Sequence, residues 1–133
     1  MGSGAVPGAV VAYRERAARA ETSLIVVIDA DAEETGRRTR QLEESLKSKG
    51  LPRRNPEERI VHLIPKRNIE TWIVNLNGRQ VDEEYDHRHD AGIDDLIDSA
   101  AQTLFEWTRP NAQIPPHSVP SLRVAIPELQ RLE

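Results

Sequence analysis

Leu24-Ile25-Val26-Val27-Ile28-Asp29-Ala30-Asp31 is the stretch on which the fold turns. Five branched apolar residues follow one another with no polar interruption. A strand wetted on one face alternates; an unbroken run reads as a strand buried on both faces, as in a parallel sheet covered by helices. The run stops at Asp-x-Asp. A second run, Ile60-Val61-His62-Leu63-Ile64, ends at Pro65. Between the two, Gly36 to Lys49 is predicted helical, with Leu42 and Leu46 on one face, Arg40/Glu44 and Glu43/Lys47 as i,i+4 pairs, and Gly50 as the stop. Strand–helix–strand order implies a parallel crossover.

Outward from this unit, Ala9 to Ala20 is rich in Ala, Arg and Glu and is predicted helical, with Val10, Tyr13, Ala17 and Ala20 as a weak apolar stripe. After the second strand, Asn68 is placed to cap a helix carrying Ile69, Trp72, Ile73 and Leu76 at i, i+3, i+4, i+7. Residues 79–91 are polar and acidic and read as a loop. Gly92 to Thr108 is the clearest helix, with Ile93, Leu96, Ile97, Ala100, Ala101 and Leu104 on one face. A last helix spans roughly 121–132, kinked or restarted at Pro127. The expected class is therefore α/β: a small parallel sheet flanked by helices, with a mostly helical C-terminal part. The 133 residues make one domain, with 1–8 flexible, 9–78 the α/β core, 79–91 the acidic loop and 92–133 helical. Two strands are few for a stable parallel sheet. The expectation is that a third strand hides in a segment read here as helix or loop, or that another chain, as a homodimer or a partner protein, completes the sheet.

The composition narrows the function. A net charge of −4 argues against a protein that coats nucleic acid through a basic surface, though not against local contact with a phosphate. Cysteine is absent, which excludes disulfides, thiolate metal sites and cysteine nucleophiles. No apolar run approaches the ~18 residues of a membrane span. No leader pattern is read, so the expected location is cytoplasmic. Phosphate loops of the Gly-x-x-x-x-Gly-Lys type and Gly-x-Ser-x-Gly elbows are both missing.

What remains is the acid pair. Asp29 and Asp31 leave the carboxyl end of a strand, where open α/β sheets place their sites. Two close carboxylates repel each other, and a Mg²⁺ (or Mn²⁺) ion relieves that repulsion. Parallel strands share one carboxyl edge, so Glu70, in the first turn after the second strand, is a third candidate ligand. Lys66 and Arg67 are candidate phosphate-binding groups beside it, with Lys66 and Glu70 as catalytic candidates. Each residue has a plainer reading: Asp29 and Asp31 as turn formers that cap a helix, Glu70 as an acid favoured by the helix dipole, Lys66 and Arg67 as solvated loop charges. His87 and His89 with Asp86 and Asp90 are a weaker candidate for zinc. His62 reads as filler, Trp72 and Trp107 as core anchors.

Residues 24–31 resemble the central strand and Asp-x-Asp of the Toprim (topoisomerase–primase) fold. Lys66-Arg67-Asn68-Ile69-Glu70-Thr71-Trp72-Ile73 is similar to a second motif of compact bacterial Toprim-like proteins, in which a strand leads into a helix starting apolar-Glu-x-Trp. The likeness covers about residues 22–78, with a looser one from Phe105 to Leu132. Some such proteins belong to phage-defence systems beside the overcoming-lysogenization-defect nucleases. The resemblance implies Mg²⁺-dependent phosphodiester chemistry on DNA or RNA, with Asp29 and Asp31 as metal ligands and Glu70 as the second-motif acid. One departure is large: Toprim domains begin with a strand ending in Glu, often Glu-Gly, and neither Glu15 nor Glu21 matches it. The resemblance thus carries two expectations, a nuclease-like domain and a catalytically degenerate module that binds nucleic acid or protein in a bacterial defence complex. A haloacid-dehalogenase-type phosphatase also has Asp-x-Asp after a strand. It wants Thr or Val where Glu33 stands, and the chain is short for a sugar-nucleotide transferase.

Overall fold

The computed structural model describes residues 3–31, 34–87, 90 and 92–133. After a 3₁₀ turn, the elements run α1 (Val6–Ala17), β1 (Leu24–Val27), α2 (Thr35–Ser48), β2 (Ile60–Leu63), α3 (Ile69–Leu76), α4 (Ile93–Trp107) and α5 (Pro120–Gln130). The chain is an α/β protein, and its sheet is the parallel pair β1–β2, in the register Leu24↔Ile60 to Val27↔Leu63. No third strand joins them among the described residues.

The faces of the sheet seed two cores. Val26 of β1 and Ile28 just past it, with Ile60 of β2 and Ile64 just past it, pack with Val6, Val10 and Tyr13 of α1 and Leu42 and Leu46 of α2. Val61 and Leu63 point the other way, into Trp72, Leu76, Ala100, Trp107, Leu122 and Ile126 of the C-terminal helices. Trp72 is 2% exposed, and its indole N–H donates to Ser121 Oγ at 2.8 Å. Such a ring normally finds a partner for its one polar atom when buried. The predicted stripe on α1 holds at Val10 and Tyr13, but Ala17 and Ala20 are exposed and Val6 takes their place.

β1 departs from the sequence reading. Ile25 and Val27 are 47% and 36% exposed, so only one of its faces is buried, whereas all four residues of β2 are buried. The reason is topological. The C-terminal helices stand over β2, where α5 packs directly, and leave the matching face of β1 uncovered. Asn68 precedes α3 but makes no side-chain cap; its amide instead donates to Asp86 Oδ1 at 2.8 Å. Pro127 lies within α5 without ending it.

β2 has an unusual outer edge. Leu24 N donates to Arg59 O and Ile28 N to Leu63 O, so the odd-numbered peptide groups of this strand face β1. Ile60 and His62 therefore turn their backbone groups away from β1. There Arg54 Nη1 donates to the Ile60 carbonyl at 2.8 Å, and the His62 N–H donates to Glu128 Oε1 at 2.7 Å. Arg54 and Glu128 are joined in a two-pronged pair at 2.6 and 2.7 Å. Donor and acceptor side chains thus stand where a neighbouring strand would present its own N–H and C=O. Burial raises the Glu128 carboxyl pKa, but the Arg54 guanidinium and the His62 N–H outweigh it and hold it below the ordinary range.

Candidate functional site

The carboxyl ends of β1 and β2 lie side by side, as the parallel pairing requires. Ala30 N donates to Pro65 O at 2.9 Å, which carries the contact past both strands. Asp29 and Asp31 therefore leave the sheet next to the turn that holds Lys66, Arg67 and Asn68. Asp31 sits at φ 53°, in the left-handed region that Asp tolerates better than most residues.

The Asp-x-Asp turn is met by an arginine. Arg38, in the first turns of α2, donates Nε to the Asp29 carbonyl at 3.1 Å and Nη2 to Asp31 Oδ2 at 3.1 Å. Its Nη1 goes to Gln41 Oε1 at 2.8 Å. All three guanidinium nitrogens are engaged, which fixes the plane of the group across the turn. A cleft of about 310 Å³ opens beside it, lined by Ala30, Asp31, Arg37, Arg38 and Gln41.

On the β2 side, Glu70 is half-buried in the first turn of α3. Lys66 Nζ lies 3.9 Å from Glu84 Oε1 of the acidic loop, and Arg67 is exposed. The same loop is fastened elsewhere: Glu83 Oε2 accepts from the Ser121 N–H at 3.2 Å and from its hydroxyl at 2.6 Å. His87 Nδ1 meets Asp90 Oδ2 at 2.6 Å, while Tyr85 stands edge-on to the imidazole with centroids 4.7 Å apart. His89 and Glu33 lie outside the described residues.

The structure thus brings the two predicted turns to one edge, with Asp31 on Arg38 and Lys66 near Glu84. It does not gather the three acids into a ligand set: among the described residues, no group of three His, Asp or Glu side chains could hold a metal ion. With Asp31 held by a guanidinium and no third acid converging, the donors do not fit a divalent ion as they stand. A cation is already in place, and it is covalently part of the chain.

Sequence reasoning missed Arg38, because its partners lie seven and nine residues back across a turn and no fixed spacing marks such a contact. It also passed over the Arg54–Glu128 pair, which joins residues 74 apart. His62 did carry a signal, as the one polar residue in an apolar strand.

Taken together, fold and site define an α/β domain with a cationic cleft at the carboxyl edge of a two-stranded parallel sheet. Compared with known proteins, the chain matches no family model, no curated protein and no solved structure. Among the described residues, no helix is long and apolar enough to cross a membrane.

Proposed function

We propose that this chain is a catalytically degenerate Toprim-like module that binds the phosphates of DNA or RNA at the α2 cleft without cutting them. The observation that carries the reading is Arg38, which occupies the Asp-x-Asp turn from within. A guanidinium there neutralises the acid that a metal would need, while Arg37 adds a second cation to the same cleft. Against a net charge of −4, such binding is local and weakens steeply with salt. A place in a phage-defence complex rests on the resemblance alone.

One observation favours the nuclease reading. The Asp31 side chain is 78% exposed, so a Mg²⁺ or Mn²⁺ ion could compete with Arg38 for it, with Asp29 and Glu70 as the other expected ligands and Lys66 and Arg67 at the phosphate.

Two measurements on the full chain separate the readings. We expect fluorescence anisotropy of a labelled oligonucleotide to report metal-independent binding that Arg37→Glu weakens about tenfold, a loss of about 1.4 kcal/mol. We expect supercoiled plasmid to stay intact with Mg²⁺ or Mn²⁺. Metal-dependent nicking that Asp31→Asn abolishes would overturn the proposal in favour of the nuclease.

A further inference from the structure

Asn77-Gly78 is the one Asn-Gly step in the sequence, and it stands where α3 stops. The stop needs both residues. Gly78 takes φ 93°, a left-handed backbone that side chains resist, so glycine holds the position after the cap. Asn77 supplies what the helix end lacks. Its amide Nδ2 donates at 2.7 Å to the Ile73 carbonyl, one of the terminal carbonyls of α3. The same Nδ2 donates to the Leu96 carbonyl of α4 at 3.1 Å, and Oδ1 accepts from the Ser99 hydroxyl at 2.5 Å. One side chain thus closes α3 and ties it to α4, the helix it packs against.

An asparagine followed by glycine can also react with its neighbour, because no side chain on the next residue hinders the backbone nitrogen. The Gly78 nitrogen attacks Cγ of Asn77, the new C–N bond closes a succinimide ring, and the side-chain amide leaves as ammonia with the proton that Gly78 gives up. Water then opens the ring to aspartate or isoaspartate.

The fold keeps both reactants engaged elsewhere. The Gly78 N–H donates to the Asn75 carbonyl at 3.0 Å, and the Asn77 amide is held by its three bonds. Asn75 Nδ2 fixes the next residue through the Arg79 carbonyl at 2.9 Å. Ring closure requires the amide to leave Ile73 and Leu96, so it waits for this end of α3 to part from α4. Water is at hand when it does, since Gly78, Arg79 and Gln80 are exposed. The product cannot remake the joint. A carboxylate has acceptors and no donor, and here it would face the Ile73 and Leu96 carbonyl oxygens, which are acceptors too.

We propose that Asn77 is a deamidation site gated by the α3–α4 joint, where a transient opening becomes a permanent one. The site is separate from the α2 cleft, and oligonucleotide binding there neither supports nor weakens it.

The test incubates the full chain at mildly alkaline pH, with and without urea, and follows each asparagine by peptide mapping and mass spectrometry. In urea, Asn77 is expected to convert first; in the fold, it should convert at least about tenfold more slowly. Ser99→Ala removes one of the three bonds and should speed conversion in the fold about fivefold. Asn77→Asp stands in for the product. Its amide hydrogen exchange across α4 should be at least about fivefold faster than in the parent, or the fold should be lost outright. Equal conversion with and without urea would overturn the proposal. So would a Ser99→Ala variant that converts no faster than the parent, or an Asn77→Asp variant that protects α4 as the parent does.

Discussion

At the outer edge of β2, the Ile60 carbonyl and the His62 N–H meet Arg54 and Glu128; at the outer edge of β1, across the same sheet, Ile25 and Val27 have no strand beside them among the described residues. The side chains follow the edges. All of β2 is buried, while Ile25 and Val27 are partly open to solvent. The two strands are nearly equal in composition, so the difference lies in what the rest of the chain brings to them. Residues 54 and 128 close one edge with paired charges, and α5 comes with them as cover. A two-stranded sheet holds here because one strand is enclosed completely, not because both are enclosed by halves.

The largest expected effect comes from the enclosed side. Trp72→Ala removes a buried ring and its bond to Ser121, and should cost about 3–5 kcal/mol in urea unfolding. A loss under about 1 kcal/mol would mean that α3 does not hold β2. Next, Glu128→Ala leaves the Arg54 charge and the His62 N–H without their acceptor. We expect a loss of about 3 kcal/mol, at the lower end for broken buried pairs because both side chains keep some contact with water. Replacing Arg54 and Glu128 together with apolar residues should restore part of that loss, and a double-mutant cycle measures how much.

Titration sharpens the same contrast, since His62 sits on β2. In the unfolded chain its ring takes a proton near pH 6.5; in the fold it stays neutral until about pH 4. Above pH 6.5 both states are neutral and the His62 contribution to stability is complete. Between those values the unfolded state binds a proton that the native state refuses, so stability falls, by up to roughly 3 kcal/mol at the lower end. Glu58, held below its ordinary value chiefly by its hydrogen bonds from Arg14, and Glu128 add to the loss at lower pH, as each takes up a proton in the unfolded chain first. Denaturation midpoints across this range should lose the upper part of the slope in His62→Gln. On the open side the effects should be small. Ile25→Ser and Val27→Thr each remove little buried surface, and we expect under about 1 kcal/mol apiece. Losses as large as that of Trp72→Ala would show that this face is covered in solution.

Both strands, the helix between them and the long helix beginning after Gly92 were legible because each carries its own period or run. The error at Ile25 and Val27 has a definite source. An unbroken apolar run states that a strand tolerates burial on both faces, and it does not state that the chain has enough helices to cover both. The acid pair was legible as a turn at a strand end, and the parallel order placed Glu70 at the same edge. Its electrostatics were not legible. The contact from Arg38 depends on where α2 starts after the turn and on how Asp31 folds back at positive φ, and neither follows from local propensity.

The plug on β2 has a consequence for assembly. Fibre growth by strand addition needs a free rim on each side of every unit, so that each newcomer templates the next. Here one rim is filled by a guanidinium and a carboxylate. Recruitment through the sheet must stop once the remaining rim is taken, which makes Arg54 and Glu128 guards against runaway polymer as well as struts for the strand they hold.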